Sequence, residues 1–300
     1  MSFNADLHTY GWLTFERGTF ELPGVSYRGE RSLKTLVDRC TAVGLDMIGF
    51  VNFGDRRFEQ LYETAKSLPQ GYLFTIMREK GQPIGLAVLP PLQRLVYILR
   101  GQQVLTKDGH VLVLGAPQQF ADNQPIERTL QEARDLGALI IAPGPSFVQG
   151  KNVEGTVPGR AEYTSPLATQ TLEKTFDRFH SFFDAVETFS ASPWPRSFRD
   201  LFRLKQQNEA SALFAQRYDI PAITVSEAHA LSHLGHAYIS LPTPIRDYEP
   251  VLEKLREQLK SKEYTAHQET VSLPGMARCL AADLWNHFRV HRGWLQIRRE

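Results

Sequence analysis

Two cysteines in three hundred residues leave no room for a disulfide framework. Cys40 and Cys279 share no metal-ligand spacing, so structural zinc of the finger type is excluded as well. The chain opens without a basic stretch followed by an apolar one, and the expectation is a reduced, cytoplasmic protein. No apolar run reaches the length of a membrane span; one of the longest, from Ile84 to Leu92, is short and contains prolines. Charge of one sign is missing too. Thirty-four basic residues face thirty-three acidic ones, so no global field draws the chain to nucleic acid or to an anionic surface. Phosphate-cradling glycine loops, the nucleotide-binding Gly-x-Gly-x-x-Gly and the Gly-x-Ser-x-Gly elbow are all absent. No internal repeat is evident.

What is present is a hydrophobic content of 42%, enough to bury the core of one large domain. Short apolar runs alternate with amphipathic stretches, the pattern of an α/β architecture. Strands are expected at 2–8, 47–52, 72–77, 84–88, 96–98, 111–114, 138–142, 185–189 and 220–225. Helices are expected at 32–43, with Leu33, Leu36, Val37 and Cys40 on one face, and at 58–68, 126–136, 172–182, 198–218 and 249–260. Gly44 and Gly137 stand where helix ends call for a left-handed residue. Residues 146–168, rich in Gly, Pro and Thr, read as a long surface loop. About seven helix–strand units in 240 residues suit a closed barrel better than two half-domains.

Chemistry-bearing residues concentrate at strand ends. Asp6-Leu7-His8 closes the first strand, and Ser226-Glu227-Ala228-His229 follows the apolar Ile223-Thr224-Val225. Carboxylate and imidazole groups so placed are what a metal site uses. Between them come Gly44-Leu45-Asp46-Met47-Ile48, Gly101-Gln102-Gln103, Asp108-Gly109-His110, Ala142-Pro143-Gly144-Pro145 and Asp184-Ala185-Val186-Glu187.

In order and spacing these segments resemble the PHP (polymerase and histidinol phosphatase) superfamily over roughly residues 1–242. The resemblance implies a distorted (β/α)7 TIM-like barrel, with a small C-terminal extension over 243–300. It also implies phosphoester hydrolysis by up to three divalent metals. Several positions depart from the family pattern. Tyr10 stands for a histidine, Asn52-Phe53 for an Asp-His pair, Gln103 for a bridging glutamate and Gly144 for a histidine, while Glu227 replaces an aspartate. A neutral amide cannot bridge two cations, and glycine offers no donor at all.

His8, Glu227 and His229 therefore remain as a candidate metal set, able to hold one divalent ion (zinc, manganese or iron), with Asp6 orienting a histidine. The competing reading has no metal, and the same residues form a hydrogen-bonded cluster closing the barrel mouth. Asp6, Tyr10, Asn52, Gln103, Gly144 and Glu187 are expected to ring that mouth, because ligands of such barrels meet at the C-terminal strand ends. Two functions follow. One is a degenerate PHP-domain protein that binds a small molecule, a phosphate-containing ligand or a protein partner. The other is a phosphoesterase working with one residual metal. His229, His233 and His236 would share a face only on an unbroken helix, and Gly235 argues for a turn there. The basic, aromatic tail around Arg278, Arg289, Arg292, Arg298 and Arg299 reads as a docked amphipathic helix rather than a nucleic-acid surface.

Overall fold

The computed structural model describes residues 2–10, 21–22, 25–26, 32–52, 62–144, 174–191, 198–228, 231–246 and 250–270. The expected loop 146–168 and the basic tail lie outside them. The first strand, β1 (Phe3–Tyr10), precedes a minimal hairpin of β2 (Glu21–Leu22) and β3 (Val25–Ser26). Helix α1 (Ser32–Ala42) buries Leu33, Leu36, Val37 and Cys40 as its periodicity demands, and Gly44 follows at φ +76°. Strands β4 (Met47–Asn52), β5 (Leu73–Glu79), β6 (Gln82–Leu89), β7 (Val96–Thr106) and β8 (Gly109–Leu114) then run to α2 (Ile126–Asp135). The remainder comprises β9 (Leu139–Ala142), β10 (Ala185–Ser190), α3 (Phe198–Arg217), β11 (Ala222–Val225), β12 (Ala237–Leu241), α4 (Val251–Ser261) and β13 (Thr265–Gln268).

One mixed sheet carries the order β11-β10-β9-β8-β7-β4-β1-β12-β13 and curls into a nearly closed barrel. The barrel expected from the sequence is present, but it is not a plain alternation of helix and parallel strand. β8 runs antiparallel to both β7 and β9, and β12 antiparallel to β1. β12 was not expected as a strand. Its alternating Tyr238 and Ser240, both half-buried, mask the buried Ala237, Ile239 and Leu241. The pairings put the C-terminal ends of β1, β4, β7, β9, β10 and β11 at the same end of the barrel.

Hydrophobic side chains fill the interior: Leu7, Met47, Val51, Leu99, Leu112, Leu114, Leu139, Ile141, Ile223, Val225 and Ile239 share one buried cluster. Gly49 lies so close to β1 that a Cβ would stand 2.2 Å from the Leu7 carbonyl oxygen. The same cluster takes in Val251, Leu252, Leu255 and Leu259 of α4. The helix is held there by Arg256, which donates to Asp184 and to the carbonyls of Gly137 and Ala138, and by Glu79, which accepts from the Leu252 backbone N–H. Leu252 packs against Gly115, whose φ of +76° and closeness (2.5 Å from a virtual Cβ) leave no space for a side chain. The segment after residue 242 thus supplies part of the core. No helix among the described residues is long and apolar enough to cross a membrane.

Two substitutions separate packing from polarity. Truncating fully buried Leu255 to alanine removes atoms from the core and is expected to cost about 3 kcal/mol in a denaturant titration. The Ser211 hydroxyl of α3 is fully buried and has no hydrogen-bond partner among the described residues. Ser211→Ala therefore removes an uncompensated polar group and should leave stability unchanged or raised in the same titration.

Candidate functional site

Strand β1 builds the site because it cannot stay regular. Its pairing with β4 shifts between Asp6 and Thr9, a bulge that turns consecutive side chains away from strict alternation. Asp6, fully buried, accepts the backbone N–H of Ser226 at 3.0 Å and that of His8 at 3.4 Å. Burial lifts its carboxyl to a pKa of about 7, against the pull of the Ser226 and His8 hydrogen bonds. A parallel bridge between Thr9 and Ala228 continues the junction of β1 with the chain leaving β11.

His8 is buried, and its Nδ1 lies 2.8 Å from Glu187 Oε1. Burial pulls its pKa down, but the Glu187 carboxylate more than offsets this and leaves it raised, with Glu227 and Asp6 adding to the effect. Glu187 faces the interior from β10, which has its own register shift between Glu187 and Phe189. Glu227 adopts φ +48°, a strained conformation for a side-chain-bearing residue. Its Oε2 accepts the Ser190 hydroxyl at 2.7 Å. Ser190 is the last residue of β10. Nothing but its strand-end position could have marked it as Glu227's partner.

Of the expected mouth residues, Asp6, His8, Glu187 and Glu227 come together here. Gln103 is on the interior row of β7, continuing Leu99 and Gly101, and donates through Nε2 to His110 Nδ1 at 2.7 Å. Gly144, at φ +47°, follows the end of β9. β1 and β4 end at Tyr10 and Asn52, whose side chains lie outside those described, as does His229 entirely. The turn expected before Ala237 is present: Leu231–His233 form a single tight helical turn, and Gly235 takes φ +89°. His233 is buried, and burial together with His236 lowers its pKa to about 4.

A metal of the kind the family implies needs donors that converge. Among the described residues, no three His, Cys, Asp or Glu side chains are placed to hold a cation. His8 Nδ1 is engaged by Glu187, Glu227 by Ser190 and Gln103 by His110. The described donors alone therefore do not make up a metal set.

The Gln103–His110 pair gives a pH prediction. Burial holds the His110 pKa down at about 4, and the amide N–H donating to Nδ1 leaves no place for a second ring proton. Because the folded pKa lies below the unfolded value of 6.5, the contribution is fully present above pH 6.5. It is lost as pH falls towards 4. Urea midpoints measured from pH 7 to 4.5 should fall more steeply for the native sequence than for His110→Gln. Parallel curves would show that His110 carries none of the acid sensitivity.

Comparison with known proteins adds to this geometry. A family model described as PHP-associated matches residues 205–258, which span most of α3, β11, β12 and part of α4. No curated protein matches. Among solved structures, PsfC from Pseudomonas syringae PB-5123 is similar at 12% identity and a TM-score of 0.52, over 95% of this chain and 98% of that one. A two-domain protein from Bacteroides vulgatus ATCC 8482, containing a predicted PHP-like metal-dependent phosphoesterase, aligns at 12% identity and a TM-score of 0.48. That alignment covers 90% of this chain but only 65% of the other. Endonuclease Q, in complex with a 27-mer duplex bearing an abasic lesion, aligns at 11% identity and a TM-score of 0.45, over 87% and 57% of the two chains. The chain thus shares its fold with PsfC and carries a segment similar to the PHP-associated model.

Proposed function

We propose that this protein is a PHP-domain member that has given up clustered-metal phosphoester hydrolysis and uses its remodelled mouth to bind a ligand or a protein partner. One observation carries the reading. The polar groups at the mouth are spent on one another, with Glu187 on His8, Ser190 on Glu227 and His110 on Gln103. Clustered-metal hydrolysis needs cations to generate hydroxide and to neutralise phosphoryl oxygens. The residues at 10, 52, 103 and 144 are tyrosine, asparagine, glutamine and glycine, and none supplies the carboxylate or imidazole that such a cluster uses.

Two backbone bulges and the left-handed Glu227 all fall within this mouth. Backbone irregularity persists where a site has a use for it, which favours a working mouth over a vestigial one. The second reading keeps one metal on His8, Glu227 and His229. It draws support from the proximity of Glu227 to His8, whose ring feels its charge.

Elemental analysis after reconstitution with zinc, manganese or iron should return well below one equivalent. The purified protein should also leave generic phosphomonoesters and diesters uncleaved in manganese. Turnover that disappears in His229→Ala would overturn the proposal. One bound equivalent, lost in His8→Ala, would establish the single-metal reading.

A further inference from the structure

Two edge strands of the sheet are built differently. β13, last in the strand order, reads Thr265-Ala266-His267-Gln268, and all four residues are exposed. It is the polar kind of strand that a water-facing edge calls for. β5 ends a side branch of the sheet, and among the described residues it pairs with β6 alone. Its first five residues, Leu73-Phe74-Thr75-Ile76-Met77, carry no charge, no proline and no glycine, and the first four are exposed. Leu73, Phe74 and Ile76, with Leu92, are four of the five large hydrophobic side chains exposed among the described residues, so the exposure is a patch and not scatter. Leu92 belongs to it because its neighbour Pro91 stands 3.1 Å from a virtual Cβ on Gly71, just ahead of β5. Leu73 and Thr75 point to one face of the hairpin, Phe74 and Ile76 to the other. A helix or loop laid on one face would leave the other bare. What the two faces share is the open edge, and an edge is covered by a strand.

We propose that β5 is a dimer interface, pairing antiparallel with β5 of a second copy of this chain about a two-fold axis at Thr75. A two-fold perpendicular to a sheet sets one residue opposite itself and thereby fixes every other pair. With Thr75 on the axis, Phe74 of each copy lies opposite Ile76 of the other, and Leu73 opposite Met77. An aromatic against a β-branched side chain is a cross-strand pair that stabilises a ladder. No like charges meet within 73–77, because that run has none. Arg78, exposed and donating to the Gly81 carbonyl at its own hairpin tip, falls opposite Tyr72. The Tyr72 hydroxyl donates to Asp38, whose carboxylate also takes Lys34. The guanidinium therefore arrives beside an aromatic ring and a carboxylate. An axis at Ile76 would instead set Glu79 against Leu73. The apolar run is self-complementary about Thr75, which makes a second copy, rather than a foreign strand, the occupant. The proposal is independent of the reading of the mouth.

Sedimentation velocity on the full chain tests this. The native protein is expected to sediment with twice the mass of the chain, at a Kd below ~0.1 mM. Thr75 is exposed and lies outside the mouth, so Thr75→Lys and Thr75→Glu should fold as the native chain does, which circular dichroism and thermal melting check. Each variant alone sets two like charges face to face on the axis and should sediment as a monomer. Mixed in equal amounts, the two should recover the dimer, because lysine then faces glutamate. Leu73→Lys, at another exposed side chain, should also give the monomer and serves where a Thr75 variant fails to fold. A native protein that stays monomeric up to that concentration overturns the proposal, and so does a dimer that these variants leave intact. Loss of the dimer in both Thr75 variants without recovery on mixing overturns the two-fold register at Thr75.

Discussion

A sheet becomes a barrel only where it folds back on itself, and here a buried carboxylate ties β1 to the chain leaving β11. Asp6 accepts the Ser226 N–H across the gap between β1 and the end of β11, while β12 occupies the remainder of the seam by pairing with the first residues of β1. A fully buried acid is costly unless bonded, and this one is anchored by its own strand through the His8 N–H as well as by the opposite one. The bend that lets Asp6 serve the seam also releases His8 from strict alternation, so closure and site geometry are consequences of one irregularity. Asp6 thus belongs to the architecture more than to the chemistry, although sequence alone groups it with the metal-like motif.

The barrel's polarity is graded along its length. Aliphatic residues and α4 fill one end and the middle; imidazole, carboxylates, amide and hydroxyl gather at the other. Burial sharpens each hydrogen bond in that polar layer and makes each unmade one costly, which explains why the groups present are found in mutual pairs. It also explains the opposite shifts of two histidines. His8, facing carboxylates, is raised, and His110, facing a neutral amide, is lowered.

Much of this was legible in the sequence, and for identifiable reasons. Apolar periodicity located α1, α2 and α4, because burying one helix face leaves a 3.6-residue signature. Continuous apolar runs located β4, β9 and β11, which are buried on both faces. Gly44 and Gly137 marked helix ends because positive φ selects for glycine. β12 escaped because its alternation includes Tyr238 and Ser240, and the antiparallel course of β8 escaped because strand direction leaves no mark on residue type. At the site, residue identities flagged His8, Glu187 and Glu227 individually. The partnership of His8 with Glu187 was invisible, since it depends on two bulges whose residues carry no bulge signature. Ser190 as the partner of Glu227 was equally hidden.

The α4 helix is seated by Arg256 and by Leu252 against Gly115, and its Val251, Leu252, Leu255 and Leu259 belong to the same buried cluster as Leu7 of β1 and Ile141 of β9. Strands from the beginning and the middle of the chain therefore complete their packing only when a helix from its last quarter arrives. Barrel and helix form one cooperative unit, and loosening α4 reaches the strands through packing alone.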